Sequence, residues 1–243
     1  MSSPYAFEPG LMVQGFEPVL SLSDFGLIAF DMDSTLINIE CIDEVAKFAG
    51  KGEEVAKITE AAMRGEIKDF KDSLKRRVAL LKGTPESALH QVLQNALKLN
   101  PGASTLVSTC KAQGLKVLLV SGGFTFFAHA VQDMLKIDFT RSNILDIQNG
   151  VLTGQLVDQD WGDICDGQEK RKMLLETCEH LGISPKQAIA MGDGANDLPM
   201  MSACQEAGGL SVAYHAKPAV RAQAMVSIEE GGLDRLLRVV KAQ

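Results

Sequence analysis

Three short apolar runs divide the chain, and each of them ends in small or acidic residues. The runs cover residues 25–31, 115–120 and 187–192, and a stretch of helical character follows each one. Continuous apolar runs of this length are typical of parallel strands that are buried on both faces. The repeated order of strand, turn and helix therefore predicts an α/β fold, in which helices cover a parallel sheet.

A long block of helical character separates the first run from the second. Within residues 40–99 the apolar side chains recur at helical spacing, as in the series Phe70, Leu74, Val78 and Leu81. A helical insertion of this length after the first strand predicts a small cap domain above the edge of the sheet. The predicted division of the chain is an N-terminal arm at 1–24, a core at 25–39 and 100–243, and a cap at 40–99.

Outside these segments the chain carries weaker patterns. Residues 1–24 are polar, contain Pro and Gly and lack a helical period, so they predict a loose arm. Residues 150–157 predict a hairpin, and residues 169–181 predict a helix that stops before Gly182. Leucines recur at helical spacing from Leu233 onwards and predict a closing helix.

The composition is that of an ordinary globular protein. Of the 243 residues, 46% are hydrophobic and 23% are charged, and the formal net charge is −7. An acidic chain repels the phosphates of nucleic acids, so we expect no nucleic-acid partner. No run approaches the roughly 20 apolar residues that a membrane span needs, so we expect no membrane partner. The five cysteines include no C-x-x-C pair, which favours a reduced, cytoplasmic setting.

Two acidic residues follow the first apolar run directly. In an extended segment, residues two apart point to the same side, so Asp31 and Asp33 would face one ligand. One ionised carboxylate suits attack on phosphorus, and the other suits proton transfer to the leaving oxygen. A turn in which Asp33 only caps a helix is the structural alternative. The pair alone is therefore a moderately specific sign of phosphoryl transfer.

A second acidic group, Asp193 and Asp197, follows the third apolar run. Mg²⁺ prefers oxygen ligands and takes few protein carboxylates, so Asp193 would supply one ligand, with Asp197 one shell further out. An Asp-Gly turn before a helix is the plain alternative. Because parallel strands bring their carboxyl ends to one edge, we expect the two acidic groups to meet there.

Three further polar residues stand at positions where a phosphorylated ligand would need them. Ser121 opens Ser-Gly-Gly before a helix, where a hydroxyl and free N–H groups suit an anion. Lys170, or Lys172 as an alternative, would neutralise a phosphoryl group. Arg77 lies on or beside an apolar helix stripe, where it would snorkel, pair with an acid or bind a ligand carboxylate. Taken singly, a solvated serine and a surface lysine are the simpler interpretations.

A different phosphatase chemistry is also present as a pattern. Cys165 and Arg171 have the C-x₅-R spacing of phosphatases in which a thiolate attacks phosphorus. Asp166 and Glu169 would place two negative charges in that phosphate-binding loop and oppose a lowered thiol pKa. We therefore expect the aspartates, and not the cysteine, to carry the chemistry.

The complete set of motifs resembles the haloacid dehalogenase-type phosphatases, and among them those that act on O-phosphoserine. The matching segments follow the order of that family and are far more specific together than singly. They are DMDSTLINIECID (31–43), FKDSLKRRVALLKG (70–83), SGGF (121–124), Lys170 and GDGANDLPM (192–200).

The resemblance implies a Rossmann-like core with a parallel sheet and a helical cap inserted after the first strand. It implies that Asp31 is the nucleophile and that Asp33 is the general acid and base. It further implies that Mg²⁺ is held by Asp31, the backbone carbonyl of Asp33 and Asp193, while Asp197 supports the metal site.

The resemblance also implies a set of substrate contacts. The implied residues are Ser121, Gly122, Lys170 and Asn196 for the phosphoryl group, Glu40 for an ammonium group, Arg77 for a carboxylate, and Met63 and Phe70 as apolar walls.

The reaction implied by the resemblance is hydrolysis of O-phosphoserine to serine and phosphate through an aspartyl phosphate, the last step of serine biosynthesis. Two related reactions are the alternatives: transfer of the phosphoryl group to an alcohol such as homoserine, and hydrolysis of another small phosphate ester. A phosphoamino-acid sensor without turnover is a third alternative, but binding alone would not need a nucleophile.

Overall fold

Across the described residues, nine strands form one sheet, and the six in its middle are parallel. The structure is a computed structural model that describes residues 4–63 and 69–242, without the side chains of Glu60, Ala62 and Met63. The strand order across the sheet is β1-β2-β10-β9-β8-β4-β5-β6-β7, and β3 and β11 form a separate pair. The strands are β1 (Tyr5–Glu8), β2 (Leu11–Val13), β3 (Leu20–Ser21), β4 (Leu27–Phe30), β5 (Lys116–Phe124), β6 (Phe139–Gln148), β7 (Val151–Val157), β8 (Ala188–Gly192), β9 (Leu210–Tyr214), β10 (Val226–Ile228) and β11 (Val240–Lys241).

The predicted α/β fold is confirmed by the two apolar cores on opposite faces of this sheet. Strand β4 lies at its centre, parallel to β5 on one side and to β8 on the other. Ile28 and Phe30 enter one core, and Leu27 and Ala29 enter the other. All four side chains are fully buried, so a continuous apolar run was required there.

Nine helices are present in the part of the chain that the structure describes. They are α1 (Cys41–Phe48), α2 (Gly52–Met63), α3 (Phe70–Ala79), α4 (Ser87–Asn95), α5 (Ala103–Ala112), α6 (Thr125–Leu135), α7 (Gly167–His180), α8 (Leu198–Ala207) and α9 (Pro218–Arg221). The first four follow β4 within the predicted cap, and α3 also packs against β7. The boundaries of the cap domain remain a prediction. None of the helices within the described residues combines the length and apolar character needed to span a bilayer.

The N-terminal segment is not the loose arm that its composition predicted. Strand β2 pairs antiparallel with β10, and β1 pairs with β2, so the segment extends the main sheet. Leu11 and Val13 are buried while Met12 between them is partly exposed. This two-residue alternation is a strand pattern that three residues were too short to make visible.

Two predictions near the other end of the sheet also need correction. The segment 150–157 is not a complete hairpin: it supplies β7, whose partner β6 precedes the turn Asn149-Gly150. Both turn residues have positive φ, as a tight hairpin requires. The predicted closing helix is a 3₁₀ turn at Leu233–Arg238 followed by β11. Leucine spacing over little more than one turn does not distinguish these two helix types.

Candidate active site

Three neighbouring strands deliver the predicted polar residues to one edge of the sheet. Asp31 follows β4, Ser121 lies near the end of β5, and Asp193 follows β8. These strands are adjacent and parallel, in the order β8-β4-β5. Their carboxyl ends therefore form one crevice, the usual ligand position in sheets of this type.

A buried lysine joins two of the acidic residues. Lys170 Nζ donates hydrogen bonds to Asp31 Oδ1 at 2.5 Å and to Asp197 Oδ1 at 2.6 Å. Burial alone would lower the pKa of Lys170, but the two carboxylates outweigh burial and raise it. Lys170 is therefore a fixed positive charge in the crevice. Lys172, the alternative, lies on the surface near Glu176.

The remaining oxygen of Asp197 is also occupied by hydrogen bonds. Asp197 Oδ2 accepts from the backbone N–H groups of Asp193 at 3.1 Å and Gly194 at 3.0 Å. A Cβ atom on Gly192 would lie 2.3 Å from Asp197 Cγ, so only glycine allows this approach. Asp197 thus organises the turn that carries Asp193, in agreement with a supporting position outside a metal's own ligands.

The acidic cluster has the composition of a divalent cation site. One carboxylate oxygen from each of Asp31, Asp193 and Asp197 lies within 4.8 Å of the others. Burial raises the pKa of Asp31 well above its usual range and that of Asp193 to about 6. Lys170 cannot neutralise three carboxylates, so negative charge remains in the cluster. A hard divalent cation, which prefers oxygen ligands, would balance that charge.

Asp33 is held by two donors on a different side of the crevice. The backbone N–H of Cys41, the first residue of α1, donates to Asp33 Oδ1 at 2.8 Å. Ser121 Oγ donates to Asp33 Oδ2 at 3.3 Å. Burial raises the pKa of Asp33 despite these hydrogen bonds. Asp33 thus connects the predicted cap to the bulged end of β5, and its raised pKa favours a carboxyl that can carry a proton.

The loop Ser121-Gly122-Gly123 lies against both Asp33 and α3. Ser121 is fully buried, and its Oγ accepts from the Gly123 N–H at 2.8 Å. A Cβ atom on Gly122 would come within 2.8 Å of the Phe70 ring, so Phe70 covers this loop directly. The structure therefore brings together the predicted phosphoryl-binding loop and one of the two predicted apolar walls. The other wall, Met63, ends α2, but its side chain lies outside the described part of the chain.

Glu40 and Arg77 are the two charged side chains of the cap segment that the sequence predicted for the site, and Asp43 of the same segment lies near enough to influence both. Glu40 lies at the rim, where Ser34 Oγ donates to its Oε1 at 2.6 Å. Desolvation and the nearby charge of Asp33 raise the pKa of Glu40 to about 7, although solvent at the rim opposes part of this shift. Arg77 is half-buried and, among the described residues, has no carboxylate within ion-pair distance. Burial lowers the pKa of Arg77, and the charge of Asp43 is the largest influence that opposes this shift.

Asn196 is the remaining predicted site residue. It lies in the turn between β8 and α8, where its carbonyl faces Gly167 at the start of α7 and its amide oxygen lies beside Gly194. The turn therefore places Asn196 between the two segments that carry Lys170 and Asp193.

The cysteine-based alternative is contradicted by the structure. Cys165 is fully buried, and burial raises the pKa of its thiol to about 12. Arg171 points instead to the carbonyl of Pro199 and the carboxylate of Glu206. No thiolate and no phosphate-binding arginine are formed at these positions.

Sequence reasoning missed several residues that hold the site together. Thr35 belongs to the first acidic motif but received no role, and its Oγ1 lies 3.4 Å from Asp193 Oδ1. Asn100 donates to the carbonyls of Thr35 at 2.8 Å and Ile37 at 3.0 Å, and so fixes the chain after the acidic motif. The position of Thr35 in the motif was a signal that could have identified it. Asn100 and Asn143 had no such signal, because they are distant in sequence from the residues that they contact.

Comparison with known proteins is consistent with this geometry. The haloacid dehalogenase-like hydrolase family matches residues 25–205. The chain is 67% identical to the phosphoserine phosphatase of Polaromonas sp. strain JS666, over 98% of this chain and 99% of that protein. It is 68% identical to the phosphoserine phosphatase of Albidiferax ferrireducens, over 97% and 98% of the two chains.

A solved structure described as a phospho-aspartyl intermediate analogue of phosphoserine phosphatase has the same fold. It superposes with a TM-score of 0.80 at 36% identity, over 89% of this chain and 99% of that one. The match of the family, the relatives and the fold extends over the whole crevice described above. The chain belongs to the haloacid dehalogenase-like hydrolase family and, within it, to the phosphoserine phosphatases.

Proposed function

We propose that this protein hydrolyses O-phosphoserine to serine and phosphate through a phosphate ester on Asp31. The observation that carries the proposal is the buried Lys170, which binds one oxygen of Asp31 beside a cluster of three carboxylates. A carboxylate held in this way is oriented for attack on phosphorus. The phosphoserine phosphatases of Polaromonas and Albidiferax, similar along almost the whole chain, support serine as the alcohol.

In the first half-reaction, Asp31 Oδ2 forms a bond to phosphorus while the bond from phosphorus to the serine oxygen breaks. Lys170 holds Asp31 Oδ1, and Oδ2 is the oxygen that attacks. Asp33 gives its proton to the departing serine oxygen. The Asp33 carboxyl accepts hydrogen bonds from the Cys41 N–H and Ser121 Oγ, whereas Asp31 accepts from Lys170. The two aspartates can therefore hold different protonation states.

In the second half-reaction, water attacks the phosphorus of the aspartyl phosphate. Asp33, now ionised, accepts a proton from this water. The bond between phosphorus and Asp31 breaks, and phosphate leaves with Asp31 restored as a carboxylate. The same residue thus acts first as acid and then as base, which returns the site to its starting state.

We propose Mg²⁺ as the cation, held by Asp31, the backbone carbonyl of Asp33 and Asp193, with Asp197 outside. When bound, it neutralises the charge of the phosphate ester and brings the ester close to the carboxylates. Thr35 and the turn organised by Asp197 keep Asp193 in place for this role.

The phosphoryl oxygens are held by groups of the chain that lie beside the acidic cluster. Ser121, Gly122, Lys170 and Asn196 surround that space from three different segments. Because the transferring phosphoryl group is highly charged, positioning and charge neutralisation provide much of the catalysis beside the attack by Asp31.

The cap segment supplies recognition of the serine part. Arg77 binds the substrate carboxylate, and Glu40 binds the ammonium group. Phe70 and Met63 form apolar walls, with Phe70 lying over Gly122. Residues 40–99 act as the cap, which excludes water during transfer and opens for release of serine. A cytoplasmic location is part of the proposal, and the five free cysteines are in keeping with it.

The experiment is phosphate release from O-phosphoserine and other small esters, with and without Mg²⁺, for the wild type, Asp31→Asn and Cys165→Ser. We expect Asp31→Asn to fall below about one ten-thousandth of wild-type kcat, as loss of a nucleophile does elsewhere. Cys165→Ser, which leaves both aspartates intact, should remain active. Turnover by Asp31→Asn would contradict the proposal. Formation of phosphorylated homoserine in place of phosphate would identify a phosphotransferase.

A further inference from the structure

A buried amide lies behind the phosphoryl-binding loop, on the side opposite to the acidic cluster. Asn143 belongs to β6 and is fully buried. Its Nδ2 donates to the carbonyl of Gly122 at 2.8 Å and to that of Gly123 at 3.3 Å. Its Oδ1 accepts from the backbone N–H of Cys165 at 2.8 Å. Because its Nδ2 bonds to two carbonyls and its Oδ1 bonds to an N–H, these partners also fix the orientation of the Asn143 amide.

The loop needs these hydrogen bonds because it departs from the sheet. Between Val120 and Phe124 strand β5 advances four residues, while its partner β6 advances only two, from Arg141 to Asn143. The extra residues of β5 bulge out of its pairing with β6, so their carbonyls lose their hydrogen-bond partners on that strand. The side chain of Asn143 takes the place of those partners.

The orientation of Ser121 depends on the same peptide. In a trans peptide the C=O and N–H groups point in opposite directions. With the Gly122 carbonyl held by Asn143, the Gly123 N–H is directed to the other side, where it donates to Ser121 Oγ at 2.8 Å. Ser121 in turn donates to Asp33 Oδ2. A continuous chain of hydrogen bonds therefore runs from Asn143 to the proposed general acid.

The acceptor atom of Asn143 fixes the other half of the phosphoryl site. Cys165 immediately precedes Asp166, whose side chain caps α7 through the Glu169 N–H at 2.9 Å. Lys170 lies in the first turn of this helix. The backbone of Cys165 also approaches Gly122, with its carbonyl 3.4 Å from the position of a Cβ atom on that glycine.

We propose that Asn143 is a positioning residue that joins the two halves of the phosphoryl-binding site. It sets the distance between the Ser121-Gly122 loop and the start of α7, and it orients the Ser121 hydroxyl through the Gly122–Gly123 peptide. It does not touch the substrate. This inference rests on the proposed phosphatase function for its kinetic test, but binding of inorganic phosphate tests it independently.

The test compares Asn143→Ala and Asn143→Asp with the wild type. Asn143→Asp keeps the size and the acceptor for Cys165 but replaces the donor to the two carbonyls. Ser142→Ala is the matched control, because Ser142 is the buried neighbour on the same strand and, among the described residues, its Oγ bonds to Thr125 Oγ1 at 3.0 Å, while Thr125 also donates to the backbone carbonyl of Asn143, which this change leaves in place. All measurements are made below the unfolding temperature of each variant, verified by circular dichroism.

Binding of inorganic phosphate in the presence of Mg²⁺, measured by calorimetry, is the first readout. We expect both Asn143 variants to bind phosphate at least about tenfold more weakly, as loss of a buried donor allows. We expect kcat/KM for O-phosphoserine to fall about 100-fold, because misplacement of a catalytic group weakens transition-state contacts most. The preference for O-phosphoserine over phosphoethanolamine should not change, since Arg77 is untouched.

The proposal is overturned if Asn143→Ala and Asn143→Asp bind phosphate within about threefold of the wild type, or if Ser142→Ala loses as much as they do. A loss of substrate preference together with affinity would also overturn it, because that result indicates general loosening of the crevice. If the wild type binds phosphate but does not hydrolyse O-phosphoserine, the proposed function fails while the phosphate measurement still decides the role of Asn143.

Discussion

The charged residues of the candidate site differ in burial: some are fully buried, and others are exposed or half-buried. Lys170 and Asp197 are fully buried and bind each other, so their charges are fixed by the fold. Glu40 lies at the rim, and Arg77 has no ion-pair partner among the described residues. A buried charge without a partner is costly. Glu40 is exposed and Arg77 is only half-buried, so water can solvate both charges when no ligand is bound. Lys170 and Asp197, which belong to the proposed phosphoryl and metal sites, are thus preorganised, whereas Glu40 and Arg77, proposed to recognise serine, are less constrained.

At this scale, Arg77→Ala should weaken recognition of the substrate carboxylate. We expect kcat/KM for O-phosphoserine to fall about 100-fold, as for a lost hydrogen bond between charged groups. Phosphoethanolamine lacks the carboxylate, so its kcat/KM should change by less than about threefold. Arg76→Ala is the control, because Arg76 is exposed on the same helix and pairs with Asp72 at 2.8 Å. Equal losses on the two substrates would remove Arg77 from the specificity role.

At the scale of elements, the N-terminal hairpin of β1 and β2 contributes to the sheet and to the core. Strand β2 lies between β1 and β10, and its residues Leu11 and Val13 are buried in the larger of the two cores. The hairpin covers the edge of β10, which would otherwise be open to pairing with other chains.

Leu11→Ala should therefore destabilise the protein by about 2–5 kcal/mol, the range for a leucine truncated in a core. Tyr5→Ala is the comparison, because Tyr5 on the neighbouring strand is 42% exposed and should cost much less. Urea unfolding followed by circular dichroism measures both changes. An equal, small effect for the two variants would show that the hairpin contributes little to stability.

A second contact between elements makes stability depend on pH. Asp163, in the loop before α7, pairs with Lys71 at 2.7 Å and Lys75 at 3.3 Å on α3. The hydrogen bond from Lys71 is the largest cause that lowers the pKa of Asp163 to about 2. A carboxyl with a lowered pKa in the folded state adds stability above its unfolded pKa, and this stability is lost as pH falls through the folded value.

The contribution of Asp163 should therefore disappear between about pH 4 and about pH 2. Because these side chains are partly exposed, we expect only about 0.2–1 kcal/mol, and less in high salt. Asp163→Asn should lack this part of the pH dependence in urea unfolding, whereas Asp160→Asn, in the same loop, should retain it. A wild-type curve that superposes on that of Asp163→Asn would contradict the assignment.

For the whole molecule, a bound cation couples the site to global stability. The carboxylates of Asp31 and Asp193 come from different strands and repel each other in the folded chain. A ligand that binds only the folded state stabilises it, by about 2.7 kcal/mol at one hundred times its Kd. Mg²⁺ should therefore raise the unfolding temperature, and chelation should lower it and abolish phosphate release.

Thermal unfolding with Mg²⁺ and with chelator measures this coupling. Asp193→Asn should lose most of the Mg²⁺-dependent shift, because it removes one charged ligand. Asp133→Asn is the control, since Asp133 is exposed on α6. An unchanged shift in Asp193→Asn would place the cation elsewhere.

Much of the fold and many site residues could be predicted from local patterns. The apolar runs marked β4, β5 and β8, and the polar residues after them marked the edge where ligands bind. The hairpin β1–β2 and the 3₁₀ turn near the C-terminus could not be predicted, because each is too short for its period to be measured. Asn100 and Asn143 had no motif, because their partners are distant along the chain.

The sequence by itself determined the α/β class, the order of the central strands β4, β5 and β8 along the chain, and the kinds of side chain that the crevice receives. These follow from periodicity and from the residues at strand ends, which are local properties. Only the tertiary structure decided that Lys170 binds one oxygen each of Asp31 and Asp197, that Asp33 is held by α1, and that Asn143 joins two loops. Each of these depends on hydrogen bonds of a few ångströms between segments far apart in sequence, and such distances arise only when the strands are packed side by side.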